Sequence, residues 1–108
     1  MDLLLLFCGR RLLVQVDGRS MQPTLEPGER VLVKPLRQGE WPLAGQVVLA
    51  WHPERTDLRI IKRLHSSEAT AYWVLGDNPD ASTDSRQFGP IDSSRLIGIV
   101  TGRLATNA

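Results

Sequence analysis

The sequence predicts an all-β fold, in the form of a single compact antiparallel domain that resembles a β-barrel and contains little helix. Short runs of β-branched and aliphatic residues recur along the chain and are separated by Gly- and Pro-containing turns. No window keeps a helical apolar period for long, and at most one helical turn is expected after Ser20. The length of 108 residues suits one hydrophobic core and is too short for two. Residues 1–108 are therefore expected to form one domain, with an apolar flap at 1–10 and a tail at 104–108.

Six strands are predicted, at residues 11–16, 30–34, 46–51, 58–65, 71–75 and 96–103. Two of the connections between them are long, at residues 17–29 and 76–90. The second has no apolar periodicity but is dense in Asp, Asn, Ser and Arg, whose side chains can bond to one another and to the backbone. Connections of that length are usually functional or disordered. An ordered, functional loop is the better prediction.

The N-terminus carries an apolar run from Leu3 to Cys8 that ends at Gly9. A membrane-spanning helix needs about 20 apolar residues, and a secretory signal starts with a basic region, whereas this chain has Asp2. The run is interpreted as a first strand or a flap against the core rather than as an anchor in the membrane interface. We expect a cytoplasmic protein, with membrane association as the alternative.

Composition limits the partners and cofactors. The net charge is +1, and the thirteen basic residues are spread along the chain, which predicts no nucleic-acid partner and no affinity for an acidic membrane surface. Cys8 is the only cysteine and is expected to pack as a small apolar residue. His52 and His65 are expected at the surface, without the neighbours that a metal site requires. Neither a metal nor another cofactor is predicted.

One lysine lies on an apolar strand face. Side chains alternate along a strand, so Lys62 shares its face with aliphatic residues, while the opposite face is mostly polar. The face of Lys62 carries Leu58, Ile60, Lys62 and Leu64, and the opposite face carries Arg59, Ile61, Arg63 and His65. Lys62 either extends its ammonium to water or is desolvated and available as a base. Serine–lysine pairs can replace the serine–histidine–aspartate triad, but periodicity does not establish that Ser20 and Lys62 meet.

Three segments resemble, in order, the conserved boxes of the signal peptidase I family of Ser/Lys endopeptidases. They are Gly18-Arg19-Ser20-Met21-Gln22-Pro23-Thr24-Leu25, then Ile61-Lys62-Arg63, and then Gly76-Asp77-Asn78-Pro79 with Ser82-Thr83-Asp84-Ser85-Arg86 and Phe88-Gly89-Pro90. The resemblance runs from about Val16 to Val100. It implies the fold that signal peptidase I shares with the SOS-repressor peptidases.

The resemblance also implies residue roles. Ser20 would be the nucleophile, its backbone N–H would stabilise the oxyanion, and Lys62 would be the general base. Supporting roles fall on the last box: Ser82 orients Lys62, Asp84 and Arg86 form an ion pair, and Gly76, Asp77 and Asn78 shape the turn. A protein substrate would bind as an extended N-terminal peptide along Val16, Asp17, Gly18, Met21 and Pro23.

Typical signal peptidases carry a membrane anchor and often a second β domain, and neither is expected from this sequence. It therefore most resembles the short, untethered branch of the family that removes the N-terminal propeptide of nickel-type superoxide dismutase. The alternatives are cleavage of secretory preproteins, a self-cleaving domain of the SOS-repressor type, and a non-catalytic β-barrel that binds extended peptides. The oligomeric state is left open.

Overall fold

Antiparallel strands make up most of the regular structure in the computed structural model, which describes residues 3–4 and 10–104. The eight strands are β1 (Leu3–Leu4), β2 (Leu12–Gln15), β3 (Arg30–Pro35), β4 (Val47–Trp51), β5 (Arg59–Glu68), β6 (Ala71–Leu75), β7 (Ile91–Asp92) and β8 (Leu96–Arg103). The helical elements are one α-helix, α1 (Ser85–Phe88), and 3₁₀ turns at Pro79–Ala81 and Ser93–Arg95. The all-β prediction is confirmed.

The strands form one curled sheet in the order β1-β2-β3-β8-β4-β5-β6-β7. The last strand, β8, therefore lies in the middle of the sheet and joins β3 to β4. Gly98 permits this position, because a Cβ atom there would lie 2.5 Å from the carbonyl oxygen of Lys34 and 2.6 Å from Val33 Cγ1. Only a residue without a side chain lets β3 and β8 approach so closely.

All six predicted strands are present, with ends that differ by a few residues at most. The two-residue strand β7 and helix α1 were not predicted, and both lie in or just after the 76–90 connection. The predicted N-terminal flap is described only at Leu3–Leu4, which pair with β2. The rest of that flap, residues 1–2 and 5–9, and the tail residues 105–108 lie outside the described residues.

The sheet buries apolar side chains on both faces. Leu49 pairs with Ile61 and Val48 with Lys62 across β4 and β5, so neighbouring pairs point to opposite faces. One core cluster contains Val14, Val16, Met21, Leu25, Val31, Val33, Leu49 and Ile61, and the other contains Val48, Ala50, Leu64, Tyr72, Val74 and Ile91. The expectation that the Ile61 face is polar was wrong at this residue, which is 4% exposed because the sheet curls over it.

No helix within residues 3–4 and 10–104 is long and apolar enough to cross a bilayer.

Candidate active site

The Ser20 turn follows β2 and is anchored in the core on both sides. Val16 N–H donates to the Glu29 carbonyl at 2.7 Å, which extends the β2–β3 pairing toward the turn. Further along, Leu25 N–H donates to the Met21 carbonyl at 2.9 Å, and both side chains belong to the first core cluster. Ser20 is therefore half-buried on a rigid support.

Lys62 is buried, as its position among aliphatic neighbours predicts, with 6% of the residue exposed. Its Nζ donates a hydrogen bond to Ser82 Oγ at 3.2 Å. Burial lowers the pKa of Lys62; the Asp84 carboxylate opposes this effect and the Arg86 guanidinium adds to it. The neutral amine, which is the form that can accept a proton, is thereby favoured over its population in a solvated lysine.

Ser20 and Lys62 line the same cleft, which has a volume of about 270 Å³. Its walls come from the segment after β2 and from the start of β5, namely Val16, Asp17, Gly18, Ser20, Met21, Leu58, Arg59, Ile60, Ile61 and Lys62. Four of the five residues predicted to bind substrate lie in this lining. The fifth, Pro23, is exposed and is not among the lining residues.

A chain of hydrogen bonds links Lys62, through Ser82 and Asp84, to Arg86. Ser82 Oγ donates to Asp84 Oδ2 at 2.6 Å, and Arg86 holds the same carboxylate through Nε at 3.0 Å and Nη2 at 2.6 Å. Asp84 is fully buried, and burial alone would raise its pKa. The hydrogen bonds from Arg86, Gly76 N–H and Ser82 outweigh burial and hold the pKa of the Asp84 carboxyl well below its usual range.

The direction of these bonds orients the lysine. Because the Ser82 hydroxyl gives its proton to Asp84, its lone pairs are left to accept from Lys62. The nitrogen lone pair of a neutral Lys62 then points away from Ser82. Asp84 also begins α1 with a capping box, in which its side chain accepts from Arg86 N–H and Gln87 Oε1 accepts from Asp84 N–H.

The 76–90 connection is hydrogen-bonded to the backbone of the Ser20 turn. Asn78 N–H donates to the Ser20 carbonyl at 2.8 Å, and Asn78 Nδ2 donates to the Arg19 carbonyl at 3.1 Å. Gly76 packs so tightly that a Cβ there would lie 2.2 Å from Ser82 Oγ and 2.7 Å from the Ser20 carbonyl oxygen. Gly76 and Asn78 thus connect the predicted nucleophile to the residues that support the predicted base.

Sequence reasoning missed a second clamp, made by Arg63 and Asp77. Arg63 Nε and Nη2 bind the two Asp77 carboxylate oxygens at 2.8 and 2.7 Å, and Thr24 Oγ1 donates to the same carboxylate at 2.7 Å. The hydrogen bonds from Arg63 contribute most to lowering the pKa of Asp77. Asp77 therefore joins β5 to the turn that carries Ser20, beyond the turn-shaping role predicted for it. The position of Arg63 directly after Lys62 was the available signal.

The two histidines differ in their surroundings. His52 is half-buried rather than at the surface: its Nδ1 accepts from the N–H groups of Glu54 and Arg55 at 3.0 Å each, and its ring lies 5.0 Å from that of Phe88. His65 is exposed. Within the described part of the chain, no three His, Cys, Asp or Glu side chains are grouped to hold a metal ion. Cys8 lies outside that part.

Residues 8–101 match the family described as Peptidase S24-like. The chain is also 29% identical over 112 residues to mitochondrial inner membrane protease subunit 1 of Mus musculus, which covers 84% of this chain and 65% of the relative. It is 28% identical over 105 residues to subunit 2 of the Homo sapiens protease, covering 76% and 60%. Mitochondrial ATP-independent inner membrane protease subunit 1a of Arabidopsis thaliana is 33% identical over 108 residues, covering 77% and 64%. The chain thus spans slightly less than two thirds of the length of these curated relatives.

Proposed function

The chain belongs to the Peptidase S24-like family, and we propose on this basis that it is a serine endopeptidase with Ser20 as nucleophile and Lys62 as general base. The observation that carries the proposal is the environment of Lys62. A lysine that is 6% exposed, has a lowered pKa and lines the same cleft as a serine is poorly suited to a purely structural role. It is well suited to accept a proton from that serine.

Acylation would begin when Ser20 Oγ attacks the scissile carbonyl carbon while its proton moves to Lys62 Nζ. The Ser20 N–H would stabilise the resulting oxyanion, a contribution of about 3–4 kcal/mol for one donor. The tetrahedral intermediate would then collapse as the C–N bond breaks and the Lys62 ammonium returns a proton to the departing amine. Water, deprotonated by Lys62, would attack the acyl-enzyme and release the acid and the free Ser20 hydroxyl.

Ser82, Asp84 and Arg86 would act through Lys62 rather than on the substrate. Ser82 fixes the direction of the Nζ lone pair, since its own proton is donated to Asp84. Arg86 keeps that carboxylate ionised and paired, so Asp84 does not approach Lys62 as a free counter-ion that would restore its ordinary pKa. The arrangement would keep the base neutral and aimed at the cleft.

The substrate would be an extended peptide laid along residues 16–18, and removal of a leader peptide at a membrane face is the task that the relatives favour. Those relatives are named as inner membrane proteases. Removal of the nickel superoxide dismutase propeptide, the task preferred from the sequence, has no counterpart among them. For the same reason we favour membrane association over the expected cytoplasmic location.

Two alternatives compete with this proposal. A non-catalytic β-barrel that binds peptides has no use for a buried lysine in the same cleft as Ser20, and the energetic penalty of burying an amine argues against this alternative. A self-cleaving domain of the SOS-repressor type would use the same pair on its own chain. Fragments would then form during storage at alkaline pH without added substrate.

Two peptides would test the proposal, one with an Ala-x-Ala leader junction and one with the propeptide junction of nickel superoxide dismutase. Each would be incubated with the purified chain, and the products would be read by mass spectrometry. We expect cleavage of the first peptide, none by Ser20→Ala, and native rates from Ser67→Ala, which alters an exposed serine of β5. Undiminished cleavage by Ser20→Ala would refute the assignment of the nucleophile. Selective cleavage of the second peptide would restore the propeptide assignment.

A further inference from the structure

Four cationic side chains that are dispersed in the sequence converge on one groove of the folded chain. Arg10 and Arg11 precede β2, whereas Lys34 is the penultimate residue of β3 and Arg37 follows that strand. Because Leu12 pairs with Val33 in the antiparallel β2–β3 ladder, these strand ends lie side by side. The groove has a volume of about 220 Å³ and is lined by the four cations together with Pro35 and Leu36.

The charge of this groove differs from that of the rest of the chain. The four cations carry +4, and Glu40, which pairs with Lys34 and accepts from Arg37 N–H at 3.1 Å, carries −1. The groove therefore has a net charge of +3, whereas the whole chain has +1, so the remaining residues together carry −2. Basic residues that are spread along the sequence, from which no affinity for an acidic surface was predicted, are thus brought together locally by the fold.

We propose that this basic groove docks the protein on the anionic headgroups of a phospholipid bilayer. Pro35 and Leu36 add apolar side chains to the lining of the groove, and only Gly9 separates the apolar run of Leu3 to Cys8 from Arg10 in the chain. Basic side chains beside apolar residues are the usual combination at the surface of an acidic membrane. Single-stranded nucleic acid would instead call for aromatic stacking, and none of the described residues that line the groove is aromatic.

The groove is separate from the cleft of Ser20 and Lys62, because the two share no lining residue. The inference deepens the proposed action at a membrane face, but vesicle binding is measured without turnover. Either proposal can therefore fail alone. Docking through this groove would hold the catalytic cleft in a fixed orientation to the bilayer from which a leader segment emerges.

Vesicle cosedimentation would test the proposal, with the 108-residue chain and either phosphatidylcholine alone or phosphatidylcholine containing phosphatidylglycerol. We expect binding to the anionic vesicles only, and release at 1 M salt, where charge attraction extends only about 3 Å. Each basic residue near an acidic membrane strengthens binding about fivefold. The variant Arg10→Gln/Arg37→Gln should therefore bind about 25-fold more weakly.

The matched control is Arg30→Gln/Arg55→Gln, which removes two exposed cations elsewhere and gives the same net charge. It should keep most of its binding, and Arg10→Lys/Arg37→Lys should bind like the native chain. Both Gln variants should cleave a soluble peptide at the native rate, since their residues lie outside the cleft.

Three results would overturn the inference: equal binding to both vesicle types, equal weakening in both Gln variants, or tighter binding to a DNA duplex than to anionic vesicles at the same salt. If Arg10→Gln/Arg37→Gln fails to fold, Arg37→Glu alone changes one exposed loop residue. It should lower binding by more than fivefold, the effect of removing one charge. Unchanged binding by that variant would also overturn the inference.

Discussion

Replacing Gly76 with alanine should disable the active site without unfolding the protein. The new Cβ would lie 2.2 Å from Ser82 Oγ and 2.7 Å from the Ser20 carbonyl oxygen, whereas ordinary contact begins at 3.4 Å. The hydroxyl can rotate away, but the carbonyl belongs to the backbone that carries the nucleophile. Relief therefore requires Ser20 and residue 76 to separate by about 0.7 Å. A misplacement near 1 Å can reduce an enzymatic rate about 100-fold.

The assay is kcat/KM on the cleaved leader peptide, with the free energy of unfolding measured in parallel. We expect a loss of about 100-fold in kcat/KM and about 1–3 kcal/mol in stability, the usual effect of overpacking. Gly102→Ala is the matched control, because nothing lies within 4 Å of a Cβ at that position. Adding Ser82→Ala to Gly76→Ala should not rescue activity, since Ser82 Cβ remains 2.6 Å from the new atom. A Gly76→Ala protein with near-native kcat/KM would refute the reasoning.

Three further substitutions test the residues around the base. Lys62→Met should raise the free energy of unfolding at neutral pH, because folding no longer has to deprotonate or bury a charged lysine. The gain should be about 1.4 kcal/mol for each pH unit by which folding lowers the pKa of Lys62. It should vanish as the pH rises to about 10.4, where the lysine of the unfolded chain is also neutral. A gain that is independent of pH in denaturant titrations would contradict this. Asp84→Asn removes a negative charge that raises the pKa of Lys62, so the acid limb of the kcat/KM–pH profile should move to lower pH. The substitution should also cost about 1–3 kcal/mol of stability, because it weakens the hydrogen bonds that the buried carboxylate accepts. A shift of the acid limb to higher pH would contradict this reasoning. Arg63→Gln should reduce kcat/KM and should lower Tm by the equivalent of about 1 kcal/mol. Arg63→Lys should restore little of either, because only arginine binds Asp77 through two nitrogens. His65→Gln, on the same strand but exposed, should do neither.

Much of the sheet could be predicted from the sequence, because its strands are short runs rich in β-branched and aliphatic residues that are separated by Gly- and Pro-containing turns. Strand β7 was missed because two residues cannot show a period. Helix α1 was missed because its four residues are stabilised by a capping box from Asp84 and Gln87 rather than by an apolar stripe. The burial of Ile61 depends on how the sheet curls, which a strand taken alone does not reveal.

The candidate site was predictable in its members more than in its geometry. Alternation indicated a buried Lys62, and the resemblance supplied Ser20 and Ser82, but the positions of these residues in space depend on how β5 and the 76–90 connection fold together. The periodicity of the sequence cannot predict that Lys62 Nζ and Ser82 Oγ lie 3.2 Å apart. The Arg63–Asp77 clamp was missed because an arginine on a strand face with other polar residues is expected to extend into solvent rather than to form an ion pair.

The two buried faces of β5 have a consequence for how accurately the site assembles. Ile61 is packed in the first core cluster, whereas the side chain of its neighbour Lys62 points to the opposite face of the sheet and donates to Ser82. A shift of one residue in the pairing of β4 with β5 would exchange them, and an ammonium would enter an all-aliphatic cluster with nothing to solvate it. Misassembled chains would be penalised by the residue that performs the proposed chemistry. The proposed base would thus also favour the correct pairing of β4 with β5.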